Sequence, residues 1–326
     1  MLGSKGTMSD RSTGRLNAQE GGKRMIGLVK LRAHAKINLD IQVGARRADG
    51  FHDLCTIMQS IDLHDTLTLR ITEGPCRIRC SATGVPQDEN NLVWQAVRAL
   101  WTALERPGEP RGVTVTIGKS IPVAAGLGGG TSDAVAVLRG MCRLWGVAAE
   151  SSCLASIAAE LGADGPFFLV GGTALGIGKG DDVYPLVELP RYWVVIAAPP
   201  RGVMTAAAYR WLALDRSVPF RKGDSRDRQE RRPPPLIGAS IDLDALKNDL
   251  EQPVSRRRPE IREAVQLLAD AGAQVAAMTG SGSAVFALFS SREPAAQAAR
   301  CVRFNGWKVT VTQTIDRVTL ARRIWL

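Results

Sequence analysis

A glycine-rich segment in the first half of the chain carries the clearest chemical signal, with the sequence Ile121-Pro-Val-Ala-Ala-Gly-Leu-Gly-Gly-Gly-Thr-Ser-Asp133. It lies between a pattern typical of a strand and a pattern typical of a helix. Glycines let backbone N–H groups approach an anion closely, and the following helix adds partial positive charge at its N-terminus. We therefore predict a phosphate-binding loop, with a simple tight turn as the alternative. The predicted contacts are Pro122, Gly126, Leu127, Gly128, Gly129, Gly130, Thr131 and Ser132.

The residues of this loop exclude two common phosphate-binding motifs. A Walker loop requires Gly-Lys-Ser/Thr, and no lysine lies between Ile121 and Asp133. The dinucleotide-binding fingerprint requires a third glycine where Thr131 stands. The pattern that remains is Pro-x-x-x-Gly-Leu-Gly-x-x-Thr/Ser-Ser, in which Thr131 and Ser132 would add hydroxyl donors or a ligand for Mg²⁺.

Apolar and polar residues alternate from Val29 to Val43, which predicts a half-buried strand or a bent hairpin. The alternation places His34, Lys36 and Asn38 in one polar row. Taken alone, Lys36 is most simply a solvated lysine of this strand. Asp164, in a glycine-containing segment, is by the same reasoning a turn residue.

Strands and helices are intermixed along the rest of the chain without strict alternation, which favours an α+β fold over a doubly wound sheet. Asn91 is placed to cap a helix, and Ser132 or Asp133 to open the helix after the glycine loop. Further helices are predicted at Cys153–Leu161, Leu243–Leu250 and Glu260–Ala271. Further strands are predicted at Thr66–Thr72, Val113–Ile117, Phe167–Leu175, Trp193–Ala198, Val285–Phe289 and Lys308–Thr314.

Composition indicates a globular protein and narrows its partners. The 326 residues are 45% hydrophobic, and no run approaches the roughly 20 apolar residues of a membrane-spanning helix. The formal net charge of +10 favours anionic partners, but many basic residues lie in the polar segment 1–25 and the stretch 215–236. The six cysteines lack a neighbouring histidine cluster, which is typical of reduced thiols and not of a zinc site. We expect a soluble cytoplasmic protein with a disordered N-terminal extension and no nucleic-acid or membrane partner.

The glycine loop resembles the central motif of the GHMP kinase superfamily, and two other segments support this resemblance. Ala33 to Leu39 is similar to the first motif of the superfamily, and Met278 to Phe286 is similar to the third. Within the superfamily, Arg46 to His52 and Leu161 to Phe167 resemble the 4-diphosphocytidyl-2-C-methyl-D-erythritol kinases of the non-mevalonate isoprenoid pathway. The resemblance covers most of the chain and leaves out the N-terminal segment and the arginine-rich stretch.

The resemblance implies a GHMP kinase fold, with a ribosomal-protein-S5-like N-terminal domain at 26–190 and a ferredoxin-like C-terminal domain at 191–326. It implies transfer of the γ-phosphate of ATP to the 2-hydroxyl of the diphosphocytidyl substrate, with Mg²⁺ as a cofactor. We expect the protein to be a monomer or a homodimer. By their position in the motifs, Lys36 and Asp164 would be the catalytic pair. The implied substrate-binding residues are Asn38, Phe51, His52, Tyr209, Thr279, Gly280, Ser281 and Gly282.

The chain departs from the family pattern at a few positions. Phe51 replaces the usual tyrosine, which keeps a stacking ring but removes a hydroxyl. Ala124 and Ala125 replace glycines and reduce backbone freedom, and Gly165 replaces a valine, which would loosen the setting of Asp164.

Two rival interpretations remain open at this point. The first is another GHMP kinase, acting on homoserine, mevalonate or a sugar, but those substrates carry no base for Phe51 and His52 to hold. The second is a basic RNA-binding protein with an S5-like domain, which would require basic and aromatic residues clustered on ordered strands.

Removal of residues Met1–Arg24 is expected to leave activity and stability nearly unchanged, because a polar segment rich in glycine and serine buries little apolar surface. The melting temperature and the rate of ATP consumption, measured beside the full chain, test this. A melting temperature lower by more than a few degrees would contradict the prediction and indicate that the segment docks on the folded part.

Overall fold

Two large β-sheets, a small sheet of two short strands and the packed helices form the described part of the chain, residues 27–148, 150–217, 234–237 and 240–326 of a computed structural model. The predicted N-terminal extension and most of the basic stretch lie outside these residues. In chain order the strands are β1 (Leu28–Arg46), β2 (His52–Pro75), β3 (Arg77–Cys80), β4 (Arg111–Gly118), β5 (Thr173–Gly178), β6 (Asp182–Pro185), β7 (Trp193–Ala198), β8 (Leu236–Ile237), β9 (Ser240–Ile241), β10 (Val275–Met278), β11 (Val285–Phe289) and β12 (Lys308–Gln313). The helices are α1 (Leu92–Ala103), α2 (Gly129–Trp145), α3 (Ser151–Leu161), α4 (Gly165–Val170), α5 (Thr205–Ser217), α6 (Glu251–Arg257), α7 (Pro259–Asp270), α8 (Arg292–Cys301) and α9 (Arg317–Arg323).

The first sheet is built around β1 and β2, which pair antiparallel along most of their length. The strand order is β3-β4-β2-β5-β6, and β1 pairs with β2 beside this path. The long strand β2 pairs with β5 through its first half and with β4 through its second half. Helices α1 and α2 cover one face, where Leu69, Leu100 and Leu138 are fully buried.

The second sheet is antiparallel, with the order β10-β11-β7-β12. Val195 and Ala197 of β7 belong to a core shared with α5, α6, α7 and α8. The alternate residue Ile196 belongs to a different core, together with Ile37 and Leu39 of β1. The two sheets therefore meet across β1.

The environment of β1 differs from the one that its sequence predicts. Every residue from Ala33 to Val43 is buried, so the expectation of a half-buried strand is wrong. The polar row of His34, Lys36 and Asn38 is 3–5% exposed. A strand that is covered on both faces by other elements cannot leave its polar residues in water.

The structure corrects two other predicted elements near the glycine loop. Helix α2 begins at Gly129, after a left-handed Gly128, and not at Ser132 or Asp133. The segment Phe167–Leu175, predicted as a strand, forms the end of α4 and the start of β5. Short apolar runs of this kind do not distinguish a buried helix from a strand by periodicity.

A fourth correction concerns Leu243–Leu250, which the sequence predicts as a helix. Only Leu243–Ala245 forms a single 3-10 turn, and α6 starts at Glu251. The reason is a backbone pairing with β1: Ile41 N–H donates to the Lys247 carbonyl over 2.8 Å, and Asp249 N–H donates to the Ile41 carbonyl over 3.0 Å. These bonds require an extended backbone in this segment.

Other predicted elements are confirmed. Asn91 caps α1 by accepting a hydrogen bond from Val93 N–H over 2.9 Å. The strands Trp193–Ala198 and Val285–Phe289 have the predicted bounds. Among the described helices, none combines the length and the apolar character needed to span a membrane.

Candidate active site

A cavity of about 1320 Å³ opens between the glycine loop, the turn that joins β1 to β2, and helix α5. Most of the predicted site residues form its wall. They are Lys36, Asn38, Phe51, His52, Pro122, Gly126, Leu127, Gly128, Gly129, Gly130, Thr131, Asp164, Tyr209, Gly280, Ser281 and Gly282.

Two of the predicted residues, Ser132 and Thr279, are buried behind this wall. The Ser132 hydroxyl donates to the His34 carbonyl over 2.6 Å, which joins the first turn of α2 to β1. The Thr279 hydroxyl accepts a hydrogen bond from Asn38 N–H over 2.9 Å. Both side chains therefore support neighbouring backbone, and of the two hydroxyls after the glycines only that of Thr131 borders the cavity.

Lys36 and Asp164 form an ion pair at the centre of the cavity wall. Lys36 Nζ lies 3.1 Å from Asp164 Oδ2, and the two side chains are 4% and 33% exposed. Lys36 also donates to the side-chain oxygen of Asn38, whose amide group donates to Thr56 over 2.8 Å. The interpretation of Lys36 as a solvated lysine is therefore wrong, because its ammonium group is buried and held by two partners.

The glycine loop packs directly against this pair. Gly128 has a φ of 68°, and a Cβ there would lie 2.6 Å from Phe168 Cζ and 3.2 Å from Lys36 Cε. A side chain at this position would displace Lys36 as well as block an approaching ligand. Ala124 has a φ of 53°, in the left-handed region that favours glycine.

A second glycine turn, residues 279–282, meets the first backbone to backbone. A Cβ on Gly126 would lie 2.3 Å from the carbonyl oxygen of Thr279. Ala284 N–H donates to the Ala125 carbonyl over 3.0 Å. The side-chain amide of Asn248 donates to the carbonyls of Met278 and Gly280, each over 2.9 Å, and so fixes the second turn.

Asp164 is placed by the close approach of α3 and α4. A Cβ on the next residue, Gly165, would lie 1.8 Å from the carbonyl oxygen of Ala158 in α3. The expectation that Gly165 loosens Asp164 is therefore wrong: the missing side chain allows a tight corner that presents the carboxylate to Lys36.

Aromatic side chains form the end of the cavity beside the β1–β2 turn. The rings of His52 and Tyr209 stack with centroids 5.4 Å apart and an interplanar angle of 24°. Burial, with a smaller contribution from the charge of Asp164, raises the pKa of Tyr209, so the phenol is neutral. Phe51 is 56% exposed at the cavity mouth, and Lys179 Nζ lies 5.4 Å from its ring centroid.

Several lining residues were not predicted. Lys119 and Asp133 lie at the phosphate-loop side, Lys179 lies in a glycine-flanked turn, and an apolar and amide-bearing group lies beyond the loop. That group is Val85, Pro86, Asn90, Asn91 and Leu92. The sequence signals for the two lysines are weak. Lys119 stands alone before the glycine loop and Lys179 lies between two glycines, and both resemble ordinary surface residues.

The likeness to known proteins agrees with this geometry. Residues 91–172 match the family described as GHMP kinases N terminal domain, and residues 231–306 match GHMP kinases C terminal. The chain is 39% identical to the 4-diphosphocytidyl-2-C-methyl-D-erythritol kinase of Geobacter sulfurreducens over 87% of this chain and 98% of that protein. It is also 39% identical to the protein of the same name from Moorella thermoacetica, over 88% of this chain and 99% of that one. The chain belongs to the 4-diphosphocytidyl-2-C-methyl-D-erythritol kinase family.

Solved structures support the same fold. A crystal structure of a 4-(cytidine 5'-diphospho)-2C-methyl-D-erythritol kinase has a TM-score of 0.68 at 29% identity, covering 87% of this chain and 98% of that one. A homoserine kinase from Cytophaga hutchinsonii has a TM-score of 0.65 at 20% identity, covering 92% and 98%, and shares the fold. The predicted α+β GHMP kinase fold is confirmed, and with it an ATP-dependent small-molecule kinase.

Replacement of Gly165 by the family's valine is expected to destabilise this chain, because the Ala158 backbone must move to make room. We expect a loss of about 3 kcal/mol or more. This corresponds to a melting temperature roughly 5–10 °C lower. Gly27→Val is the matched control, since no atom lies within 4 Å of a Cβ at that position. Equal melting temperatures for the two variants would contradict the tight corner at Asp164.

Proposed function

We propose that this chain transfers the γ-phosphate of ATP to the 2-hydroxyl of 4-diphosphocytidyl-2-C-methyl-D-erythritol, in the methylerythritol phosphate route to isoprenoid precursors. The observation that carries the proposal is the position of the Lys36–Asp164 pair. It lies between a glycine loop suited to phosphates and the His52–Tyr209 stack suited to a base, within one cavity. A coupled ADP-release assay with this alcohol against homoserine and mevalonate tests it, and turnover of either base-free alcohol alone would contradict it.

The triphosphate would lie along the glycine loop and the N-terminus of α2. Gly128, Gly129 and Gly130 border the cavity at the point where α2 begins, and unpaired N–H groups at a helix N-terminus attract anions. The apolar and amide groups around Leu92 then suit the adenine ring beyond the loop.

Magnesium is expected as the companion of ATP, and the oxygen donors at the loop fit it. Thr131 offers a hydroxyl at the cavity wall, whereas that of Ser132 is engaged with His34. Hydroxyl, carboxylate and phosphate oxygens are the ligands that this ion prefers. When bound, it would offset charge on the β- and γ-phosphates.

Asp164 and Lys36 would divide the chemistry between them. The half-exposed carboxylate of Asp164 can orient the substrate hydroxyl and accept its proton. The buried ammonium of Lys36 keeps that carboxylate in place and faces the loop at Gly128, where it stabilises negative charge on the transferred group. Phosphoryl transfer needs mainly such alignment and charge stabilisation.

The cytosine would bind at the aromatic end, with Phe51 and Tyr209 offering ring faces and His52 a polar edge. Asn38 and the turn 280–282 then face the erythritol and diphosphate parts. We further propose that residues 26–190 and 191–326 form the two domains, and that the enzyme acts in the cytoplasm, where ATP is available.

Asp164→Asn is expected to lower turnover at least ~100-fold while the Michaelis constants change little, because a positioned base acts mainly in the transition state. Steady-state kinetics with both substrates measure this. Asp270→Asn, at an exposed aspartate of α7, is the matched control and should retain wild-type turnover. A variant at 164 that keeps most of its turnover would contradict the assignment.

Phe51→Ala is expected to raise the Michaelis constant for the diphosphocytidyl substrate roughly 5- to 150-fold, the range of a lost base–aromatic contact. The constant for ATP should change little, because the glycine loop is a separate part of the cavity. Phe51→Tyr retains the ring face and serves as the matched control. Since Phe51 is exposed, the melting temperature should stay constant; equal effects on both substrates would count against a base site here.

A further inference from the structure

A buried lysine lies between two buried aspartates directly behind the glycine loop. Lys119 Nζ donates to Asp65 and, over 2.9 Å, to Asp133 Oδ2. The exposed fraction is 0% for Asp65 and 3% for Asp133, and 8% for the Lys119 side chain. The mechanism described above uses none of these three side chains.

Asp65 holds the entrance of the loop. Its second carboxylate oxygen, Oδ1, accepts hydrogen bonds from Ser120 N–H over 2.5 Å and from Ile121 N–H over 2.9 Å. These two residues lead directly into Pro122 and the glycines. A single carboxylate on β2 thus fixes the backbone direction in which the loop leaves β4.

Asp133 holds the exit of the loop, because it lies on the same helix as the last glycines. Lys119 Nζ lies 3.3 Å from the position of a Cβ on Gly129, the first residue of α2. The ammonium group is therefore packed against the helix N-terminus, and Lys119, Asp133 and Gly129 all border the cavity.

We propose that Asp65 and Asp133 are positioning residues for ATP, which tie the entrance and the exit of the glycine loop to the single ammonium group of Lys119. The loop is then held in its binding shape before the nucleotide arrives, which lowers the cost of ordering it on binding. The inference rests on the proposed function in taking the triphosphate of ATP as the ligand of the loop.

Calorimetric ATP binding at pH 7.0, with melting curves to verify folding, tests the positioning role of Asp133. Asp133→Ala should weaken ATP binding about 10-fold, because the tie between α2 and Lys119 is lost. The surface control Asp270→Ala should keep the wild-type dissociation constant. A folded Asp133→Ala variant with wild-type ATP affinity would overturn the role of Asp133.

Lys119→Met and Asp65→Asn test the positioning role at pH 7.0. Each should weaken ATP binding about 10-fold or more, the loss expected when a preorganised loop becomes disordered, while the Michaelis constant for the alcohol stays within about twofold. Folded variants with unchanged ATP affinity, or with equal losses for both substrates, would overturn it. A wild-type chain that binds no ATP would contradict the proposed function itself, which separates the two failures.

Discussion

The burial of one ammonium group, that of Lys36, constrains the rest of the cavity. This lysine is only 3% exposed, and an unpaired buried charge costs several kcal/mol. Asp164 and Asn38 supply the compensating oxygens. To bring Asp164 within 3.1 Å, α4 must approach α3 so closely that only glycine fits at 165. A substitution at Gly165 would therefore act on the pair through the backbone, with no contact to either side chain.

The second constraint is the direct contact between the two glycine turns. One turn precedes α2 and the other joins β10 to β11, so they belong to opposite sheets. At Gly126 the carbonyl of Thr279 occupies the space of a side chain, and Asn248 fixes the partner turn through two carbonyls. The loop proposed to hold ATP and the turn proposed to face the diphosphate thus form one packed unit. A relative shift of the sheets would misalign both ligands together.

The features that sequence predicts well here are those set by local backbone requirements. The glycine loop, the Asn91 cap and the alternating strand β7 depend on residues close in the chain, and the structure has all three. The features that were missed depend on distant partners. The burial of Lys36 follows from packing against the glycine loop and Asp164, and the extended backbone at Lys247 follows from pairing with β1. The pattern of apolar and polar residues within either segment does not indicate such a contact.

A shared fold leaves the substrate undecided, so the discrimination must come from parts of the cavity that differ in chemistry. In the proposed mechanism, the glycine loop and the Lys36–Asp164 pair can serve any alcohol that presents a hydroxyl to the γ-phosphate. The end of the cavity beside the β1–β2 turn is different, because the rings of His52 and Tyr209 stack on each other there and present a flat aromatic surface. A small acyclic alcohol would leave that surface in water and gain no binding energy from it, whereas in the proposed binding mode a base would cover it. In the proposed binding mode, the binding energy of the base is available to hold the hydroxyl, several bonds away, against Asp164.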